Sequence, residues 1–262
     1  MFDTNPNVIQ NGPRKPAAHN ATPLVLIHDG GGTIFSYHLL GDLGRKVVGI
    51  ANPRFRSSIP WAGGLHEMAT AYAGFVAKAV PSGPVILGGW SLGGLLALET
   101  AQVLSQTHPD VSVIGLLLVD SVCPVPPDAG WAGAEQRLTE HRIEWPTTTA
   151  PATKACVERC FREAHRMVRD WAPPVSQLAP AVLIRCCDPV SAPDDGLLYV
   201  DLYRSDQRLG WDNYRRGMFC QVINIPGHHY NVFALEHVDT MTASIKAACE
   251  TIEQRDLISS SR

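Results

Sequence analysis

Four short stretches of this 262-residue chain are dominated by apolar residues without alternation between apolar and polar positions: PLVLIH (23–28), VVGIA (47–51), PVILGGWS (84–91) and VIGLLLVDS (113–121). A strand with apolar residues on both faces must be covered on both. Segments of helical period lie between them. LHEMATAYAGFVAKAV (65–80) sets Leu65, Met68, Tyr72, Phe75, Val76 and Ala79 on one face and stops before Pro81-Ser82-Gly83-Pro84. LGGLLALETAQVLSQ (92–106) follows the third stretch directly. Such alternation predicts an α/β fold with a mostly parallel central sheet flanked by helices.

After residue 124 the rhythm breaks. Ten of the 20 prolines fall between Pro124 and Pro193. Residues 124–180 hold no good strand and one amphipathic helix, expected over about 152–171. Cys156, Cys160, Ala164, Met167 and Trp171 form its apolar stripe, and Arg159, Arg162, Arg166 and Arg169 form a basic one. The strand pattern resumes with AVLIRC (181–186) and FCQVINI (219–225), and a helix from about 232 to 252 closes the chain. The expected organisation is a flexible lead-in (1–22), a core built from 23–123 and 181–262, and a lid insertion (124–180).

Composition narrows the function classes. With 25 acidic against 22 basic residues and a net charge of −3, no nucleic-acid surface is expected. Seven cysteines without a CxxC pair or a zinc-like Cys/His spacing read as reduced thiols, and no metal is expected. The N-terminus lacks an apolar signal core, and the stretch near Val113–Val119 is too short to cross a bilayer. A soluble, cytoplasmic protein that avoids membranes is expected.

Gly89-Trp90-Ser91-Leu92-Gly93 is a G-x-S-x-G set at the junction of a buried strand with a helix, where a nucleophile elbow belongs. A serine hydroxyl is a weak nucleophile until a base takes its proton, so a histidine and an orienting acid are required. Ile225-Pro226-Gly227-His228-His229-Tyr230 follows the last strand. We prefer His229 as the base, because one residue then separates it from Gly227, with His228 as second choice. Asp120 and Asp188 both end strands on the same sheet edge, with Asp194-Asp195 just beyond; the residues alone leave the acid open. An oxyanion hole needs two N–H groups: Leu92, directly after the serine, supplies one, and the loop His28-Asp29-Gly30-Gly31-Gly32 the other. These glycines match neither common phosphate-binding pattern.

These segments resemble the thioesterase domains of polyketide and nonribosomal peptide synthetases, of the α/β-hydrolase superfamily. GPVILGGWSLGGLLALETAQVL (83–104), IHDGGGTIFSYHLL (27–40), VVGIANP (47–53), LGWDNY (209–214) and NIPGHHYNVF (224–233) carry the likeness, which spans about 23–121 and 180–250. The resemblance implies Asp120 as the acid, since the family's aspartate follows a strand in a context like LLLVDS. It also implies Gly30 as the second oxyanion donor with Gly31 next. Trp90 and Gly31 become the expected substrate contacts. His228 departs from the family, which often has an acidic residue there. The implied activity is release of an acyl product, a polyketide first of all, from an acyl carrier protein or synthase bearing a phosphopantetheine arm. It would proceed by hydrolysis or cyclisation, without a cofactor; the initial methionine and the lack of an appended carrier domain favour a free-standing enzyme, although an excised domain would look the same. The arginine stripe would dock an acidic carrier; its plainer reading is a solvated face with Glu158, Glu163 and Asp170 interleaved. A general carboxylesterase and an idle acyl-binding or scaffold protein are the rival functions.

Overall fold

The computed structural model of the chain describes residues 4–13, 21–57, 59–124, 138–139, 145, 147–175, 179–191 and 196–260. In chain order its elements are β1 (Asn7–Asn11), β2 (Leu24–Ile27), β3 (Lys46–Ile50), α1 (Gly64–Ala79), β4 (Gly83–Trp90), α2 (Leu92–Thr107), β5 (Val111–Val119) and β6 (Leu138–Thr139). They continue with α3 (Pro151–Arg169), β7 (Ala181–Cys186), β8 (Leu197–Leu198), β9 (Phe219–Ile225) and α4 (Val238–Ser260). Seven strands form one sheet in the order β1-β3-β2-β4-β5-β7-β9, and β6 pairs only with β8. From β3 to β9 every pairing is parallel.

The continuous apolar strands are buried on both faces. Along β2, Val25 and Ile27 face a core layer with Met68, Tyr72 and Leu96 of α1 and α2. Leu24 and Leu26 face the opposite layer, which contains Met241, Ile245 and Cys249 of α4. The period of two along a strand therefore divides one apolar run between two layers. β2 neighbours both β3 and β4, so the strand order reverses there, and the carboxyl ends of β2 and β4 open onto the crevice where ligands bind in such sheets.

Three features depart from the sequence expectations. The lead-in is not wholly flexible: β1 pairs antiparallel with β3, and the Asn5 side chain exchanges hydrogen bonds with the backbone of Ala51 (2.8 and 3.0 Å). An edge strand needs backbone pairing more than an apolar run, and NVIQN carries little apolar signal. Six residues expected to begin the last helix instead form turns, where Ala234 N donates to Asn231 O and His237 N to Ala234 O before α4 begins at Val238. Within 124–180, which was expected to hold no strand, Leu138–Thr139 makes its short pairing with β8.

The described part of the expected lid is dominated by α3. Cys160, Ala164 and Met167 are buried, as the apolar stripe requires. The arginine stripe divides. Arg159 donates to Phe55 O (2.5 Å) and Arg166 to Trp61 O (2.9 Å), whereas Arg162 and Arg169 are exposed. Glu163 accepts from Trp61 N (2.6 Å), and the Trp171 indole donates to the buried Glu99 of α2 (2.9 Å). Half of the basic stripe thus braces the helix against the loop before α1. Among the described residues no helix is long and apolar enough to cross a membrane.

Candidate active site

Ser91 sits between β4 and α2 at φ 57° and ψ −119°, a conformation that costs an L-residue energy and is held by its surroundings. The turn closes only because its flanks lack side chains: a Cβ on Gly89 would lie 2.6 Å from Ile27 O, and one on Gly93 2.3 Å from the same oxygen. Ile27 pairs with Gly89 across the sheet, so the serine and the loop after β2 emerge side by side at the strand-order reversal.

Asp120 follows β5 at φ 44°, with its N–H on Ile184 O (2.7 Å). His229 lies on the loop after β9. His229 Nδ1 is 2.8 Å from Asp120 Oδ2, and His229 Nε2 is 3.0 Å from Ser91 Oγ. Burial alone would raise the Asp120 pKa, but the hydrogen bonds and charges of His229 and Arg204 prevail and hold the carboxyl well below the usual range. An ionised carboxylate only accepts. His229 therefore donates from Nδ1, leaving Nε2 to accept the Ser91 hydroxyl proton. A hydroxyl, an imidazole and a carboxylate in series can generate an alkoxide-like nucleophile near neutral pH.

The structure separates the competing acids and histidines. Asp188 turns away from the imidazole: its Oδ2 accepts from Gly227 N (3.0 Å) and its N–H donates to Gly227 O (3.0 Å), so it clamps the histidine loop. Asp194 and Asp195 lie outside the described residues. His228 closes the loop on itself, its N–H on Asn231 Oδ1 (2.7 Å) and its Nδ1 accepting from Tyr230 N (3.2 Å).

Leu92 opens α2, where the first N–H groups have no acceptor within the helix and the dipole is positive. Across from it, Gly31 N donates to Asp29 Oδ1 (3.1 Å) and Gly32 N to Asp29 O (3.0 Å). The Gly31 N–H is thereby engaged within its own loop. α3 covers this loop: a Cβ on Gly30 would come within 2.9 Å of the Phe161 ring, and Val157 and Cys160 stand against Gly31 and Gly32. The Trp90 ring packs on the imidazole of His229 (centroids 5.6 Å) and on Phe233 (5.3 Å).

The Thioesterase domain family model matches residues 22–255. The chain belongs to the thioesterase family. A thioesterase called frbD from a Dothideomycetidae species is 37% identical to it over 90% of this chain and 92% of its own length. The nonribosomal peptide synthetase imqB of Aspergillus flavus is 29% identical over 96% of this chain, which spans 8% of that protein. Among solved structures, the NocB thioesterase domain in covalent complex with a fluorophosphonate nocardicin G analog superposes with a TM-score of 0.65 at 29% identity, covering 87% of this chain and 95% of that one. The fold of this thioesterase is accordingly that of the α/β-hydrolase-type thioesterase domains of synthetases.

Two residues of this thioesterase site escape sequence reasoning. Arg204, whose guanidinium grips Asp120, carries no local motif, and its partner is 84 positions away. Asp29 is visible only as an acid between His28 and three glycines. Burial pushes the Asp29 carboxyl up to about 6, against the Gly31 hydrogen bond and the attraction of His229. The folded protein thus holds this proton more tightly than the unfolded chain. The resulting stability is full below about pH 4 and is lost as the pH rises through about 6. Asp29→Asn is expected to abolish that loss, gaining on the order of 1 kcal/mol over the parent between about pH 4 and pH 7, since the residue keeps partial contact with solvent. Urea midpoints at the two pH values measure it. A variant that parallels the parent across the window contradicts this account of the carboxyl.

Proposed function

We propose that this thioesterase is a serine enzyme that releases an acyl product, a polyketide in the leading reading, from the phosphopantetheine arm of a carrier protein. The observation that carries the reading is the unbroken chain Ser91 Oγ–His229 Nε2 and His229 Nδ1–Asp120 Oδ2, at 3.0 and 2.8 Å. Ser91 Oγ attacks the thioester carbonyl carbon while His229 Nε2 takes its proton. The N–H groups of Leu92 and Gly30 receive the charge that develops on the carbonyl oxygen. Collapse expels the pantetheine thiolate, which the imidazolium protonates, and leaves an acyl-serine. Water, or a hydroxyl or carbanion-forming carbon of the acyl chain itself, gives up its proton to His229 and attacks that ester; the bond to Ser91 Oγ breaks, Oγ recovers the proton, and an acid, a lactone or a carbocycle leaves.

Trp90 and Gly31 are proposed to border the acyl chain, and 124–180 to act as the lid over it. Support for a carrier-bound substrate comes from the match to a segment of a nonribosomal peptide synthetase. The covalent complex of the NocB thioesterase domain with a fluorophosphonate analog supports a nucleophile that such a probe can capture.

The test compares kcat/KM on an acyl-pantetheine thioester and on the matched oxygen ester. A thioester preference of about tenfold or more is expected. A reversed preference assigns the site to a carboxylesterase. Intact-mass spectrometry after a fluorophosphonate probe completes the test: one adduct on Ser91 is expected, and no adduct would indicate an idle acyl-binding protein.

A further inference from the structure

Asp120 is gripped from two sides. Besides His229 on Oδ2, it receives Cys186 N (2.8 Å) and Arg204 Nη1 (2.7 Å) on Oδ1, and Arg204 Nη2 (2.8 Å) on Oδ2. The guanidinium therefore holds both oxygens of the carboxylate that holds the imidazole. Arg204 is itself only 8% exposed, and each of its five N–H groups has an acceptor. Two go to Asp120. The others meet Asp201 Oδ1 from Nε (2.9 Å), Cys186 O from Nη1 (2.9 Å) and Val200 O from Nη2 (2.8 Å). Asp201 is buried too, and its second oxygen accepts from Val190 N (2.7 Å).

A planar fork on both oxygens fixes the rotation of the carboxyl plane as well as its position. The charge has a separate consequence. A buried carboxylate with the imidazole as its only cationic partner stabilises the imidazolium strongly, and a base protonated at working pH cannot accept the serine proton. A guanidinium on the same carboxylate opposes that pull. We propose that Arg204 is a positioning residue of this site, holding the plane of Asp120 against His229 and tempering the attraction of that carboxylate for the imidazolium. The proposal rests on the roles assigned above to Ser91, His229 and Asp120. An anchor for the segment after β8 alone would be served by Asp201 and the two carbonyls, yet one N–H of each terminal nitrogen is committed to Asp120.

The charged and titratable groups around the pair set the sign of the expected shifts. They are Arg204 and Asp201 after β8, Cys186 at the end of β7, Arg185 of β7 through its bond to Arg204 O, Asp29 after β2, and Tyr230 beside the imidazole. Removing the cation should move the acid limb of the pH profile up, and removing Asp201 should move it down.

The experiment measures pH profiles of kcat/KM on an acyl-pantetheine thioester, with thermal unfolding recorded in parallel, for the parent, Arg204→Met, Arg204→Lys and Asp201→Asn. Arg204→Met should lose about 100-fold in kcat with KM nearly unchanged, and its acid limb should move up by about one pH unit. Arg204→Lys keeps the charge without the fork, so its limb should stay within a few tenths of the parent while kcat falls about tenfold. Asp201→Asn should move the limb down by a few tenths. If Arg204→Met does not fold, the tenfold kcat loss of Arg204→Lys with an unmoved limb and the downward shift of the Asp201→Asn limb carry the test. Acid limbs that stay in place in every folded variant, with activity lost only in proportion to folded protein, overturn the proposal while the thioesterase reading stands. Absence of Ser91-dependent turnover in the parent overturns that reading, and this proposal with it.

Discussion

Replacing Ser91 by alanine is expected to lower kcat on an acyl-pantetheine thioester by about 10⁶ and to abolish fluorophosphonate labelling. The magnitude follows from the chemistry: without the hydroxyl there is no acyl-enzyme, and the remaining amides can only polarise a thioester toward water. The variant should unfold within a few degrees of the parent. The φ of 57° at this position is imposed by the strand–helix turn and is no worse for alanine than for serine. Released thiol followed at saturating substrate, with intact mass after the probe, measures both effects. Turnover within tenfold of the parent would remove Ser91 from the mechanism and leave the glycine-rich turn as architecture alone.

Asp120→Asn should lower kcat by about 10⁴, whereas Asp188→Asn should cost no more than about tenfold. An asparagine that donates to Nδ1 forces the imidazole into the tautomer with its proton on Nε2, where it can no longer accept from Ser91. Asp188 bonds to the backbone of Gly227, so its amide analogue still accepts there and the histidine loop keeps its shape. Asp120→Asn should also destabilise the protein by about 1–3 kcal/mol, because the buried Arg204 loses the carboxylate facing its fork. Initial rates at about pH 8 and urea midpoints separate the two consequences. A crippled Asp188→Asn beside a mild Asp120→Asn would reverse the assignment of the acid.

The parts of the molecule legible in the sequence are those whose physics is local. An apolar run that must be covered on both faces reads as a buried strand wherever it occurs, and β2, β4, β5, β7 and β9 lie within two residues of their expected bounds. The junction at Ser91 is legible for the same reason, since the close approach of Ile27 O to Gly89 and Gly93 excludes side chains at both positions. β1 escaped notice because an edge strand is held by backbone pairing, which leaves little trace in side-chain pattern. The late start of α4 was hidden because the turns after Gly227 are made by backbone groups and the Asn231 side chain.

The sequence by itself determined the parallel sheet, the strand-to-helix serine and a histidine loop after the last strand, because each depends on neighbours within a few residues. Where the residues alone left Asp120 and Asp188 open and the family resemblance favoured Asp120, the tertiary structure shows which of them meets the imidazole. Both end strands on one edge of the sheet, and the loop after β9 places the imidazole 2.8 Å from the first while the second holds Gly227. Only the tertiary structure brought Arg204 onto Asp120 and α3 onto the loop at Gly30. A buried ion pair between residues 84 positions apart follows from how loops pack over the sheet, and no periodicity in the chain encodes it.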